Sequence, residues 1–319
     1  MEEVRIIPRH RNGKVLTASQ FGCLRGIPTL NVTNGCLFRC TYCYARGYSR
    51  APVGNEVDLY HNLPDLLKAE LLIKRRKTQW VILNTSSDCF QTHPDIVQVT
   101  YDVIEILLGQ GIGISFLTKG KIPLKFMHLF KRSADKVLAQ IGLVSLSDRY
   151  WKKYEPGTPS PESRLDNIKQ LRAIGVVPEV RIDPIIPFIT DTVSEIDPLL
   201  RRIGEAGAER VTLSYLHLRP SIERQLAAEL SPLHRKLIES CFASQAWQVV
   251  GSSSRAKLLP RSLRERGYRR ISTLARQYGI SASICQCKNP DLAGSLCGAS
   301  RVAIALKRST PSQLPLFLC

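Results

Sequence analysis

Short apolar segments and longer amphipathic segments alternate along the chain as far as residue 217, and this alternation restricts the possible folds more than any other sequence feature. The apolar segments have the length of buried strands, and the amphipathic segments have helical periodicity. A repeated strand, helix, strand order predicts a parallel sheet with right-handed crossovers. The predicted strands are 29–32, 80–85, 113–119, 138–146, 179–186 and 210–216, and the predicted helices are 63–75, 95–109, 161–175 and 192–207.

Six strand–helix units are too few for a closed eight-stranded barrel, and they fit either a partial barrel or a doubly wound sheet. Both architectures place their chemistry at the C-terminal ends of the strands. Beyond residue 217 the alternation stops and a basic, mostly helical region begins. We therefore divide the chain into an N-terminal extension (1–24), a core (25–220) and a C-terminal extension (221–319).

Three cysteines, Cys36, Cys40 and Cys43, follow the first predicted strand with the spacing C-x3-C-x2-C. Three thiolates on one short loop can bind three irons of a [4Fe–4S] cube and leave the fourth iron open for an exogenous ligand. Zinc is the main alternative, but structural zinc sites usually combine two ligand pairs far apart in the sequence, and no such second pair follows. A chance group of buried cysteines fits poorly with the polar, glycine-containing flanks.

The chain of 319 residues carries 45 Lys and Arg against 27 Asp and Glu, a formal net charge of +18. This balance predicts a polyanionic partner or an anionic surface, and a solvated basic surface is the alternative. The N-terminal segment has no apolar region, and no stretch approaches the roughly 18 apolar residues of a membrane span. We therefore expect a cytoplasmic protein without a membrane partner, whose ten cysteines are ligands, reactive thiols or buried residues.

The cysteine motif, with Tyr42 just before its last cysteine, resembles the radical S-adenosylmethionine (radical SAM) superfamily. The resemblance implies that S-adenosylmethionine chelates the open iron of a [4Fe–4S] cluster and is cleaved by one electron to a 5′-deoxyadenosyl radical. It also implies an electron donor such as flavodoxin or ferredoxin. The implied fold is a partial (β/α)6 TIM-like radical SAM barrel, here followed by a helical, cysteine-containing C-terminal extension.

Further segments are similar to the branch of this superfamily that contains spore photoproduct lyase and the DNA-repair-photolyase-like proteins. The similar segments are 40–48, 117–120, 144–165 and 182–191, within a resemblance that covers roughly residues 25–220. The resemblance implies a radical enzyme with a nucleic-acid substrate, which the positive charge also favours. The alternatives are radical modification of a peptide, a tRNA or a small metabolite, and a non-catalytic iron–sulfur or zinc protein that binds nucleic acid.

The resemblance implies cofactor contacts at the ends of successive strands. Lys119 matches a lysine near the cofactor carboxylate, and Ser145 and Arg164 match positions that hold the ribose or the methionyl carboxylate. A lysine is a compact point charge, and an arginine offers the two-pronged grip that a carboxylate prefers. Tyr42 and Ser86 complete the expected S-adenosylmethionine-binding set. A solvated loop is the alternative for Ser86, and a helix-surface position is the alternative for Arg164.

Cys89 is the candidate catalytic residue, as a hydrogen-atom donor to a product radical. In spore photoproduct lyase a cysteine in the loop after the second strand has this role, and Cys89 lies in the same loop. Cys89 follows Asp88, whereas the lyase cysteine precedes its Ser-Asp pair, at the place of Asn84 and Thr85. A packing thiol is therefore the alternative.

A second cysteine group lies in the C-terminal extension and consists of Cys285, Cys287 and Cys297. Its spacing predicts a second iron–sulfur cluster or a zinc ion, with a fourth ligand from Cys319, Cys23 or solvent. The alternative is a reduced, cysteine-rich loop.

Two further features bear on the substrate. His217 and Arg219 follow the sixth predicted strand, where substrate contacts are expected. The segment 264–280 carries basic and aromatic residues on a predicted helix. This helix either follows phosphates or packs its apolar residues against the core.

Overall fold

The computed structural model describes residues 4–20, 22–52, 54–74, 78–250 and 254–294. The first elements are strands β1 (Arg5–Arg9), β2 (Thr17–Ala18), β3 (Pro28–Leu30), β4 (Thr33–Asn34) and β5 (Glu56–Tyr60), helix α1 (Leu63–Ile73), strand β6 (Trp80–Leu83), helix α2 (Pro94–Gly109), strand β7 (Gly113–Thr118) and helix α3 (Leu124–Arg132). Next come strand β8 (Val137–Gly142), helices α4 (Asp148–Tyr154) and α5 (Pro161–Ala173), strand β9 (Glu179–Ile185), helix α6 (Val193–Glu205), strand β10 (Arg210–Tyr215) and helices α7 (Pro220–Glu229) and α8 (Pro232–Ser240). The last elements are strands β11 (Gln248–Val250) and β12 (Ser254–Ala256), helix α9 (Arg261–Gln277) and strand β13 (Ser281–Ile284).

One large sheet carries the fold. Strands β3, β6, β7, β8, β9 and β10 lie side by side in chain order and run parallel. Helices connect them, so the predicted α/β fold of the partial (β/α)6 barrel type is confirmed. Because parallel strands end at the same edge, the loops that follow them meet at one rim. This C-terminal rim consists of residues 31–44, 84–93, 119–123, 143–147, 186–192 and 216–219.

The edges of the large sheet add strands to the predicted six. Strand β2 pairs antiparallel with β3, and β13 pairs parallel with β10. The C-terminal extension therefore contributes a strand as well as helices, with α9 as the crossover before β13. The segment "SASI" of β13 is short and half polar, so it has no periodicity that separates it from a loop. The predicted division of the chain at residues 24 and 220 stays a prediction.

An aromatic cluster fixes the loop after β6 against the sheet. Phe90 in this loop makes an edge-to-face contact with Phe116 of β7, with ring centroids 5.1 Å apart, and another with Phe126 of α3 at 5.0 Å. Phe116 also stacks on Phe130 of α3. All four rings are buried, so the loop that carries the predicted residues Ser86 and Cys89 starts from a rigid base. Among the described helices, none is long and apolar enough to cross a membrane.

A small second sheet adjoins the first cysteine. Strand β5 lies between β1, which runs parallel to it, and β4, which runs antiparallel. Asn34, the last residue of β4, donates hydrogen bonds to the carbonyl of Arg50 at 2.7 Å and to the carboxylate of Asp58 at 3.1 Å. The chain is therefore fixed directly before it enters the segment 35–44, called the cysteine loop below.

Candidate active site

The cysteine loop holds the three predicted cluster ligands at the C-terminal rim. Cys40 is buried, while Cys36 and Cys43 are partly exposed, and all three thiols are free. Burial raises the pKa of the Cys40 thiol to about 12, although the nearby positive charge of Lys119 acts in the opposite direction. Burial and the Asp88 carboxylate raise the pKa of Cys36 as well. Both sites therefore favour a thiolate only when a cation binds it, as a metal centre does.

The segment between α4 and α5 lies directly against one side of the cysteine loop. The backbone N–H of Thr41 donates to the carbonyl of Tyr154 at 3.0 Å, and the N–H of Gly157 donates to the carbonyl of Phe38 at 3.2 Å. A Cβ atom at Gly157 would clash with the carbonyl of Leu37 and would lie 2.9 Å from the Cα of Phe38. This approach explains why the sequence has a glycine at this position of "EPGTPS".

Tyr42 of the cysteine motif contacts a buried network of charges. The hydroxyl of Tyr42 donates to the carboxylate of Glu155, which also pairs with the guanidinium of Arg164. Glu155 and Arg164 are each 1% exposed. Burial acts to raise the pKa of Glu155, but the charges of Arg164 and Lys119 outweigh it and hold that pKa below its usual value. The ammonium of Lys119 lies 5.4 Å from the ring centre of Tyr42, so the two predicted residues are neighbours.

Helix α7 and the residue before it cover the other side of the cysteine loop. The guanidinium of Arg46 binds both carboxylate oxygens of Glu229 in α7, at 2.5 and 3.1 Å, and the amide of Gln225 donates to the carbonyl of Cys43 at 3.2 Å. The guanidinium of Arg219 lies 5.1 Å from the ring centre of Tyr44. These contacts connect α7 to the segment that carries the predicted cluster ligands.

The loop after β6 joins the cysteine loop through Asp88 and through Gln91, which the sequence did not single out. The amide oxygen of Gln91 accepts the N–H of Leu37 at 2.7 Å, and its amide nitrogen donates to the carbonyl of Asp88 at 2.7 Å. The Asp88 carboxylate accepts the hydroxyl of Thr118 at 2.6 Å and the backbone N–H of Lys119 at 2.7 Å. Asp88 and Gln91 therefore position Lys119 and the cysteine loop relative to each other.

The other predicted cofactor residues, Ser86 and Ser145 at the rim and Arg164 in α5, have hydrogen-bond partners within the protein. The N–H and the hydroxyl of Ser86 both donate to the amide oxygen of Asn31 at 3.1 Å. The hydroxyl of Ser145 donates to the carboxylate of Glu195 at 3.0 Å. Arg164, apart from Glu155, donates to the hydroxyl of Thr158 and to backbone carbonyls. Contacts of Ser86, Ser145 and Arg164 with S-adenosylmethionine stay predictions.

Cys89, the predicted hydrogen donor, is fully buried. Its backbone carbonyl accepts the hydroxyl of Thr100 at 3.0 Å, and burial together with the Asp88 carboxylate raises the pKa of its thiol. Its role in catalysis stays a prediction.

The predicted C-terminal cysteine group is described only in part. The sulfurs of Cys285 and Cys287 lie 3.1 Å apart, and a Cβ atom at Gly22 would lie 2.9 Å from that of Cys287. The N-terminal turn therefore approaches this pair. Cys297 and Cys319 lie outside the described residues. Among the residues that are described, no three Cys, His, Asp or Glu side chains are arranged to hold a metal ion, and metal binding here stays a prediction.

A charged cluster lies beside the cysteine pair. The Asp183 carboxylate of β9 pairs with Arg181 at 2.9 Å and with Lys288 at 2.6 Å, and these cations hold its pKa below the usual range although burial acts to raise it. Burial, with the charges of Lys288 and Arg219, lowers the pKa of His217 to about 3, so its imidazole is neutral at pH 7. The signal that sequence reasoning missed is the spacing of Arg181 and Asp183, which alternate with apolar residues on a predicted buried strand.

The residues at the rim fit an iron–sulfur cluster with a charged organic cofactor. Three thiols on one loop are soft donors of the kind that such clusters use. Lys119 supplies a cation beside Cys40, where it opposes the effect of burial on the thiol pKa. The site thus defines a class of protein that combines a thiolate-bound metal cluster with a parallel α/β scaffold.

Residues 30–224 match the family model of the Radical SAM superfamily. This match covers more than half of the 319 residues, and the chain belongs to the radical SAM superfamily. Membership confirms the prediction from the cysteine spacing, and it implies one [4Fe–4S] cluster and S-adenosylmethionine as cofactors.

Relatives and solved structures agree with this assignment. An uncharacterized protein of Mycobacterium tuberculosis is 29% identical over 262 residues, which cover 79% of this chain and 75% of that protein. The radical SAM Nalpha-GlyT isomerase of Pseudomonas phage M6 is 24% identical over 212 residues, or 65% of this chain and 44% of that protein. Spore photoproduct lyase with bound AdoMet and dinucleoside spore photoproduct superposes with a TM-score of 0.64 at 15% identity, over 87% of this chain and 81% of that chain. The fold is therefore the one that the sequence resemblance predicts.

Proposed function

We propose that this radical SAM enzyme cleaves S-adenosylmethionine reductively and acts on a nucleic acid. When bound, the cluster and S-adenosylmethionine supply a 5′-deoxyadenosyl radical that abstracts a substrate hydrogen. Cys36, Cys40 and Cys43 hold the cluster in this proposal. Lys119 and Ser86 hold S-adenosylmethionine at the ends of their strands.

Other residues of the chain position this machinery and exclude water from it. Tyr42, Glu155 and Arg164 form a buried network that fixes the cysteine loop from below. Asp88 fixes the backbone of Lys119 through a 2.7 Å hydrogen bond. Ser145 ties the loop after β8 to Glu195 of α6. Buried contacts therefore hold the loops that carry the reacting groups in place, which radical chemistry needs because a misplaced radical reacts with its surroundings.

The charged cluster beside the cysteine pair of Cys285 and Cys287 is the observation that favours an anionic substrate. Arg181 and Lys288 surround a single carboxylate, Asp183, and Arg219 covers the ring of Tyr44 at the end of the cysteine loop. His217 adds a neutral imidazole. Among the described residues of this cluster, cations outnumber carboxylates, and such a surplus suits a polyphosphate chain. The net charge of +18 and the nucleic-acid compound named with the structurally similar lyase support the same choice.

An anaerobic assay tests the proposal. The protein is reconstituted with iron and sulfide, reduced with dithionite or with flavodoxin or ferredoxin, and given S-adenosylmethionine with and without single-stranded DNA, duplex DNA or RNA. We expect about four irons per chain and 5′-deoxyadenosine formation that a nucleic acid increases. Cys40→Ser abolishes both, whereas Cys241→Ser, which changes a thiol that donates to the carbonyl of Leu237 in α8, is the matched control.

Three outcomes separate the alternatives. Formation of 5′-deoxyadenosine that increases with a peptide, a tRNA or a small metabolite, but with no other nucleic acid, favours radical modification of that target. A fully loaded cluster that yields no 5′-deoxyadenosine contradicts the enzyme and leaves a nucleic-acid-binding iron–sulfur protein. An iron content near eight that returns to about four in Cys285→Ser indicates a second cluster at the C-terminal cysteines.

A further inference from the structure

A cavity of about 190 Å³ opens at the C-terminal rim, apart from the cysteine loop. The loop after β9, the end of β10 and the first half of α9 enclose it. Residues that line it include Pro187, Phe188, Tyr215, Leu263, Arg266 and Arg270. These residues combine an aromatic ring, apolar contacts and two guanidinium groups, and the proposed reaction uses none of them.

Phe188 presents an apolar ring to solvent at the mouth of this cavity. It is 58% exposed, and its backbone has a φ of +63°, a conformation that is rare for a bulky residue. The fold holds this conformation through Asp191, whose carboxylate accepts the N–H of Phe188 at 2.6 Å and the hydroxyl of Tyr215 at 2.8 Å. An exposed aromatic ring that the backbone holds in a strained position points to a ligand contact.

Two arginines face the same cavity from adjacent turns of α9. Arg270 lies 3.5 Å from the carboxylate of Asp191, and its Nε atom is buried without a hydrogen-bond partner among the described residues. Arg266 is exposed, and the ion pairs described for α9 involve Arg261, Arg264 and Arg270 instead. The lining therefore has two cations, Arg266 and Arg270, for one carboxylate, Asp191.

Helix α9 packs one face against the core and leaves arginines on another face exposed. Tyr268, Ile271 and Ala275 are buried and form the seam with the core. Arg266 and Arg269 lie on the exposed face. The apolar seam fixes the helix, and the fixed helix holds its arginines at the rim of the active site.

We propose that this cavity binds one nucleotide of an unpaired nucleic-acid segment that flanks the reacting nucleotide. Its base stacks on the ring of Phe188, and its phosphate accepts hydrogen bonds from the guanidinium groups of Arg266 and Arg270. Aromatic stacking combined with arginine contacts is how proteins hold single strands without reading their sequence. This inference rests on the proposed function and adds the place where the substrate strand is held.

Fluorescence anisotropy with a labelled single-stranded DNA oligonucleotide tests the cavity in the full, cluster-loaded chain. We expect Phe188→Ala to raise the Kd for the normal oligonucleotide about tenfold and to leave the Kd for an abasic oligonucleotide of equal length unchanged. Phe188→Trp should keep the wild-type affinity for both. We expect Arg266→Ala to weaken both probes and to reduce the slope of log K against log salt by about 0.7. The matched controls are Leu72→Ala, an 87% exposed apolar residue at the other end of the barrel, and Arg276→Ala on the last turn of α9.

Two results overturn the inference in different ways. The stacking site is contradicted if Phe188→Ala and Arg266→Ala bind the oligonucleotide as the wild type does. It is also contradicted if Phe188→Ala loses equal affinity for the normal and the abasic oligonucleotide. If nucleic acid still increases 5′-deoxyadenosine formation by the wild type, the proposed function survives that result. If the wild type does not bind the oligonucleotide and no nucleic acid increases its 5′-deoxyadenosine formation, both the proposed function and the proposed role of the cavity are contradicted. Thermal midpoints and iron contents equal to those of the controls show that the variants are folded.

Discussion

The two sides of the cysteine loop are held by similar chemistry in different surroundings. On the α4–α5 side, the ion pair between Glu155 and Arg164 has side chains only 1–2% exposed. On the α7 side, the ion pair between Arg46 and Glu229 has side chains that are 25% and 30% exposed. Each side also has hydrogen bonds to the loop backbone. Both sides therefore use an ion pair with backbone hydrogen bonds, and they differ in how far the ion pair is buried.

Burial decides what each ion pair costs when it is broken. A charge left alone in the interior has no water to solvate it, so removing one partner of a buried pair is strongly destabilising. A charge left alone near the surface is hydrated, and the loss is small. We infer that the α4–α5 side fixes the position of the predicted cluster ligands, whereas contacts on the α7 side can be broken at a small cost in the free energy of unfolding.

The largest expected effect is that of Arg164→Met, which leaves Glu155 buried and unpaired. We expect the free energy of unfolding to fall by about 3–5 kcal/mol, measured by urea denaturation under anaerobic conditions. The double variant Glu155→Gln with Arg164→Met removes the orphaned charge and should recover part of this loss. A single variant as stable as the wild type would contradict the difference between the two sides.

Acidification should change the size of this effect. In the wild type the pKa of Glu155 lies below its ordinary value of 4.5 because of the charges of Arg164 and Lys119. This group therefore stabilises the fold above pH 4.5, and the contribution is lost as the pH falls below that value. In Arg164→Met the unpaired carboxyl has a raised pKa, and its protonation relieves the cost. The difference in unfolding free energy between the two proteins should therefore shrink from pH 7 to pH 4. A difference that grows on acidification would show that Glu155 is not the group left unpaired.

Tyr42→Phe removes the hydroxyl that donates to the same buried carboxylate. Hydrogen bonds to charged groups contribute about 1.5–3 kcal/mol, and we expect a loss of stability in that range together with lower iron retention after gel filtration. Tyr44→Phe is the matched control, because its hydroxyl donates to the neutral carbonyl of Thr85 at 2.7 Å. Equal losses for the two tyrosines would show that the charge network adds nothing beyond an ordinary hydrogen bond.

Gly157→Ala tests the close approach on the α4–α5 side without changing any charge. The new methyl group would meet the backbone at Leu37 and Phe38, so the cysteine loop has to move. Overpacking of this kind costs about 1–3 kcal/mol, and we expect weaker iron binding in the same variant. Gly109→Ala at the end of α2 is the control, since nothing lies within 4 Å of its Cβ position. Normal iron content in Gly157→Ala would mean that the loop tolerates displacement on this side too.

The sequence predicted local features well and distant pairings poorly. Six parallel strands follow from their apolar segments, although the predicted strand 138–146 runs beyond the observed end of β8 at Gly142, where the apolar chain leaves the sheet for the rim. The candidate cluster ligands Cys36, Cys40 and Cys43 rest on their spacing within one loop, and their binding of a cluster stays a prediction. Glu155 was missed because it meets Tyr42 across 113 positions of sequence. A charge is visible in a sequence, but its partner is not, so the ion pair of Arg164 with Glu155 was missed as well. The contact of Arg164 with S-adenosylmethionine stays a prediction.

The smallest expected effect is that of Arg46→Met on the α7 side. Its guanidinium binds Glu229 with good geometry, but both side chains reach water and the freed carboxylate is hydrated. We expect a loss of about 1 kcal/mol or less, which about 1 M salt further reduces because salt screens exposed charges. The loss in Arg164→Met should resist the same salt, because ions do not enter the interior. Urea denaturation of the two variants at low and high salt therefore distinguishes a buried ion pair from an exposed one. Equal salt sensitivity of the two losses would contradict the difference between the two sides of the loop.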